Sequence, residues 1–102
     1  MRKDKIEELL RDDPQDEFLR YSLAMELLKE ESQLARSLDL FTELQQGEPP
    51  YVPAFFMAGQ KLAELNRKDE ARQTLTKGIA VAESQQNDHA AREMREFLAS
   101  LD

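Results

Sequence analysis

The sequence has no cysteine and one histidine, and its 102 residues include only three glycines and four prolines. The missing cysteine rules out disulfides and thiol chemistry, although it does not fix the compartment. A single histidine, His89, cannot build a metal site, which needs several His, Cys or carboxylate ligands at set spacing. It reads instead as a surface residue near the start of a helix. Gly47, Gly59 and Gly78 are isolated, so no phosphate-cradling loop exists. No apolar run approaches ~20 residues, the length that spans a bilayer. Met1 to Asp16 is charged throughout, without the apolar core of a signal peptide. The expectation is a cytoplasmic protein with no metal, no cofactor and no membrane association.

Positive charge is also scarce. Formal net charge is −7, and residues 1–50 carry −6 of it. Nucleic-acid backbones and anionic lipid surfaces both require a basic footprint, so neither is an expected partner. The charge-compatible partner is a protein with basic residues, although acidic surface also serves solubility. The pairs Glu7-Glu8, Asp12-Asp13, Asp16-Glu17 and Glu30-Glu31 do not form catalytic dyads. Adjacent residues on a helix point apart, and carboxylates in a first helical turn complement the dipole. No Ser–His–Asp arrangement is readable, and no enzyme activity is expected.

Hydrophobic residues make up 40% and charged residues 34%, a balance that suits a folded helical domain. Ala, Leu, Glu, Lys, Arg and Gln, all helix formers, are abundant, and β-branched residues are few. Six helices are predicted. The first spans about 2–11, with Ile6, Leu9 and Leu10 on one face, and Asp12-Asp13-Pro14 stops it. The second spans about 16–30, with Phe18, Tyr21, Leu23, Ala24, Met25, Leu27 and Leu28 over more than one stripe, so it is contacted on several sides. The third spans about 32–46, with Ser32 as N-cap, and ends at Gly47-Glu48-Pro49-Pro50. The fourth starts near Pro53 and ends near Leu65. The fifth spans about 69–84. The sixth spans about 88–101, with Ala90, Ala91, Met94, Phe97, Leu98 and Leu101 on one side and a polar outer face, as a terminal capping helix requires.

An internal repeat runs through this pattern. Phe55-x-x-Ala58-Gly59-x-x-Leu62 is followed by Ala71, Leu75 and the small Gly78. Small residues at Gly59, Ala71 and Gly78 let two antiparallel helices approach, while large ones fill the space beside them. A weaker copy precedes it in Leu23-Ala24-x-x-Leu27, then Ser37-x-x-x-Phe41-x-x-Leu44 and Pro49. A half-copy shows in Ile6-x-x-Leu9 before Asp13-Pro14. Pro14 and Pro49 are 35 residues apart, close to a period of about 34.

These residues resemble the tetratricopeptide repeat family, with the best match from Val52 to about Glu83. Ala58 stands where leucine is usual, and Glu83 where proline usually ends the helix, so the fifth helix is expected to run on. Arg20 replaces an aromatic in the weaker copy. The resemblance implies an all-α domain over 1–102 built of antiparallel helix hairpins in a right-handed solenoid. It divides into a half-repeat (1–14), a degenerate repeat (15–50), a well-matched repeat (51–85) and a capping helix (86–102).

It also implies that the first helix of each pair lines a concave groove for a partner's peptide or helix. The groove positions are Tyr21, Met25 and Leu28 in one copy and Phe56, Gln60 and Ala63 in the other. The packing positions are Leu23, Ala24, Leu27, Phe41, Leu44, Phe55, Gly59, Leu62, Ala71, Leu75 and Gly78. The carboxylate clamp with which some relatives hold chaperone tails is absent, since Tyr21, Met25, Met57, Asn87 and Ala91 stand in its places. Two other readings stay open. The groove residues could be core against the terminal helices, or the apolar face could pair with a second copy in a homodimer.

Overall fold

The computed structural model describes residues 2–101. Among them are six α-helices, one short 3-10 turn and no strand. The chain divides between Pro49 and Pro50 into two compact units.

The first unit holds α1 (Lys3–Asp12), α2 (Glu17–Leu27) and α3 (Leu34–Gln45). Asp13, with φ of −141°, ends α1 just before Pro14. Asp16 then caps α2, its carboxylate accepting from the Leu19 N–H at 2.8 Å, as an N-cap carboxylate does for an otherwise orphaned donor. α2 packs against both α1 and α3. Ile6, Leu23 and Leu27 form one buried cluster, with Leu10 and Leu40 against it. Ala24, Ser37, Phe41 and Leu44 are buried as well. The small Ser37 lets α3 approach α2, and its hydroxyl donates to the Ala24 carbonyl at 2.7 Å.

Two boundaries here differ from the sequence reading. α2 ends at Leu27, about a turn earlier than predicted. Ser32 is not the cap of α3: it sits within the 3-10 turn Glu31–Gln33, and Gln33 precedes the helix without a side-chain cap. The Glu30 carbonyl accepts from the Gln33 N–H at 2.9 Å, so the chain has already turned before the serine could cap.

The second unit holds α4 (Val52–Glu64), α5 (Lys68–Ser84) and α6 (Asp88–Ala99). Pro53 lies in the first turn of α4, where its missing N–H costs nothing. Asn87 caps α6 by accepting from the Ala90 N–H at 3.2 Å. Val52, Phe55, Leu75, Ala82, Ala91 and Met94 form the buried core. Fully burying a side chain such as Leu75 contributes about 1.5–3 kcal/mol. α5 does run past Glu83, by one residue.

α4 and α5 end in the same way. Asn66 and Gln86 adopt left-handed backbone, with φ of 62° and 60°. Around them, the Asn66 and Arg67 N–H groups donate to the Ala63 and Leu62 carbonyls at 3.0 and 2.9 Å. The Gln86 and Asn87 N–H groups donate to Glu83 and Ala82 at 3.0 and 2.8 Å. This paired closure satisfies terminal carbonyls that would otherwise lack partners, and it turns the chain sharply into the next helix.

Candidate functional site

The groove positions on α2 are half-buried, and so are those on α4. In the first unit, Tyr21 and Met25 lie together with Ile6, Phe18, Ser22 and Glu26 around a cleft of about 350 Å³. Ile6, fully buried, contributes from α1; the other five belong to α2. Leu28, at the C-terminal end of α2, is not part of the lining. Tyr21 has a double role, because its ring also meets the Phe41 ring edge-on with centroids 6.0 Å apart.

Phe18, absent from the groove positions read from sequence, is 60% exposed, the large hydrophobic side chain that solvent reaches most freely among the described residues. The signal for it was present. Phe18, Tyr21 and Met25 stand at i, i+3 and i+7, which is one stripe of a helix. An exposed phenylalanine beside a half-buried tyrosine and methionine is the surface that adaptable apolar recognition uses.

The polar edge of the cleft is Glu26. The Lys29 ammonium donates to its carboxylate at 2.7 Å. That hydrogen bond, with the charge of Lys29 adding to it against partial burial, holds the Glu26 carboxyl below the usual glutamate range. Ser22 is engaged within its own helix, donating to the Phe18 carbonyl at 2.8 Å. Nearby, Lys3 is raised above the ordinary lysine range by its hydrogen bond to Glu30 at 3.0 Å.

In the second unit, Phe56 meets Phe97 edge-on, with ring centroids 6.0 Å apart. Together with Glu93 and Glu96 they border a shallow pocket of about 320 Å³. Gln60 and Ala63, further along α4, do not line it. Of the clamp positions, Asn87 is occupied as a helix cap and Ala91 is buried.

The packing positions are all buried: Leu23, Ala24, Leu27, Phe41 and Leu44 in the first unit, and Phe55, Gly59, Leu62, Ala71, Leu75 and Gly78 in the second. His89 is a surface residue, with a side chain 78% exposed and Nε2 3.2 Å from Glu93 Oε1. Among the described residues no group of three or more His, Cys, Asp or Glu could hold a metal ion. No helix among them is long and apolar enough to cross a membrane.

Antiparallel helix pairs, closed by small residues and fronted by apolar surface on α2 and α4, define a helical-repeat protein. Its solved relatives include a tetratricopeptide repeat domain protein from Salinibacter ruber, whose solution structure superposes with a TM-score of 0.80 at 34% sequence identity, covering 88% of this chain and 90% of that one. No protein-family model matches the chain, and no curated protein matches it. The chain belongs to the tetratricopeptide repeat family, and its fold is that of a protein–protein interaction module, an architecture that is typically non-catalytic.

Proposed function

We propose that the chain binds an apolar segment of a partner protein, a helix or extended peptide, through the cleft that Phe18, Tyr21 and Met25 border. The observation that carries this reading is the exposure of Phe18 beside that cleft. Apolar surface left in water is unfavourable by roughly 25 cal/mol per Å², and a partner side chain placed there recovers that cost. An amphipathic helix with anchors one turn apart has the right shape for such a surface. Phe56, Gln60 and Ala63 supply a comparable half-buried strip on α4.

Phe18 also makes the test clean. Tyr21 packs on Phe41, so truncating it disturbs the core. Phe18→Ser removes an exposed ring and leaves the core contacts in place. Partner capture by the wild type and by Phe18→Ser, with helicity compared by circular dichroism, decides the matter. A partner lost by the folded variant supports the cleft as the site. A partner retained equally by both rejects it. Sedimentation at micromolar concentration tests the competing self-association reading, which requires a wild-type dimer that Phe18→Ser dissociates.

A further inference from the structure

The pocket on the second unit has a chemistry of its own. Two phenylalanine rings, Phe56 from α4 and Phe97 from α6, stand edge to face beside two carboxylates, Glu93 and Glu96. Both rings are held against the buried core of the unit, so their orientation is set by packing and not by the ligand. The carboxylates are on exposed positions of α6 one turn apart. Glu96 enters none of the ion pairs among the described residues. The one ion pair of Glu93 among the described residues is with the His89 imidazole, through Oε1. The adjacent Arg95 is taken by Glu83 on α5. Among the described residues, no lysine or arginine is therefore paired with either carboxylate at the mouth of this pocket.

Aromatic faces and carboxylates share one preferred ligand. A ring attracts a cation to its face through its quadrupole, and a guanidinium can stack there while donating hydrogen bonds to oxygen. We infer that the Phe56–Phe97–Glu93–Glu96 pocket receives a basic side chain of a partner protein, with arginine the best fit. Arginine stacks its planar head on a ring and forks toward carboxylate oxygens. A purely apolar side chain satisfies only the rings, and an acidic one is repelled by the carboxylates and the ring faces alike. This deepens the partner-binding reading by naming the chemistry accepted at α4 and α6. It borrows from that reading only the premise that the ligand is a protein side chain.

The test uses the full chain and a small probe, so its outcome is independent of partner capture at Phe18. N-acetyl-arginine methylamide is titrated against isotope-labelled protein, alongside its neutral isostere N-acetyl-citrulline methylamide, with both followed by nuclear magnetic resonance. The arginine probe is expected to move the ring signals of Phe56 and Phe97 and the side-chain carboxylate signals of Glu93 and Glu96. Citrulline is expected to bind at least about fivefold more weakly. The Glu93→Gln/Glu96→Gln variant, altered only at exposed positions, is expected to lose at least that factor for arginine. Added salt weakens the wild-type response, because an exposed pair is screened. Equal responses to the two probes overturn the assignment. So does a response spread over the acidic surface and insensitive to the double substitution, and so does no response at the two rings.

Discussion

Gly78 on α5 lies against Phe55 on α4 so closely that a Cβ built on the glycine would stand 2.5 Å from the Phe55 Cβ. Met94 of α6 closes the other side, its sulfur 2.7 Å from the same point. One absent side chain thus sets the separation of three helices. Alanine would favour the helix by about 1 kcal/mol relative to glycine. Against this, the clash is with a Cβ, which cannot swing away. Overpacking of this kind costs about 1–3 kcal/mol. Gly78→Ala is therefore expected to lower stability, read as a reduced denaturant midpoint. Gly59→Ala meets only the side chain of Leu75, at 2.7 Å, and is expected to lose less. A variant Gly78→Ala more stable than wild type would contradict the packing account.

Gln86 adopts left-handed backbone, with φ of 60°, a conformation that costs a residue with a Cβ roughly 1 kcal/mol. Glycine adopts it freely. Gln86→Gly is expected to stabilise the chain by about 0.5–1 kcal/mol while preserving the paired hydrogen bonds that close α5. At Asn66 the same substitution is expected to gain less, because asparagine already tolerates that region. Thermal unfolding of the two variants measures the difference, and an equal or reversed ranking would count against it.

Ser37 is fully buried, and its hydroxyl donates to the Ala24 carbonyl. That carbonyl also accepts from the Leu28 N–H at 3.1 Å, so it keeps a partner if the hydroxyl is removed. Ser37→Ala is expected to cost only about 0.5–1.5 kcal/mol, the net value of one hydrogen bond. Ser37→Leu, which must find new volume between α2 and α3, is expected to cost more. Chemical denaturation of both variants gives the comparison.

Glu26 is held below the usual glutamate range by its hydrogen bond from Lys29, and Glu70 by its hydrogen bonds from Arg67. A carboxyl with a lowered folded pKa contributes stability that is fully present above its unfolded value. That contribution is lost as pH falls through the folded value. The wild type is therefore expected to lose stability on acidification below the ordinary glutamate range. Glu26→Gln/Glu70→Gln is expected to lose less over that window. Parallel curves for the two proteins would show that neither pair matters to the fold.

Much of this architecture was legible in the sequence, because helix period and residue size carry direct physical meaning. Phe55, Gly59, Leu62, Ala71, Leu75 and Gly78 could be read together as a packed hairpin, since small residues must stand wherever backbones approach. Phe18 was less visible. Its place in an apolar stripe is evident, but whether another helix covers that stripe depends on tertiary contacts that periodicity does not encode. Ser32 misled for a related reason. A serine before an apolar run looks like a cap, yet the hydrogen bond from Gln33 to Glu30 turns the chain first. Glu93 and Glu96 belong to the polar outer face expected of α6; only their closeness to Phe56, on a helix about forty residues earlier in the chain, gives them another meaning.

The most direct test of partner binding through the α2 cleft is the affinity of a captured partner segment for the wild type and for Phe18→Ser, with helicity and unfolding midpoint measured on both. The account predicts a loss of tenfold or more, about 1.4 kcal/mol, with no change in helicity or midpoint. Undiminished affinity in the folded variant would contradict it, and the partner would then have to bind elsewhere on the chain.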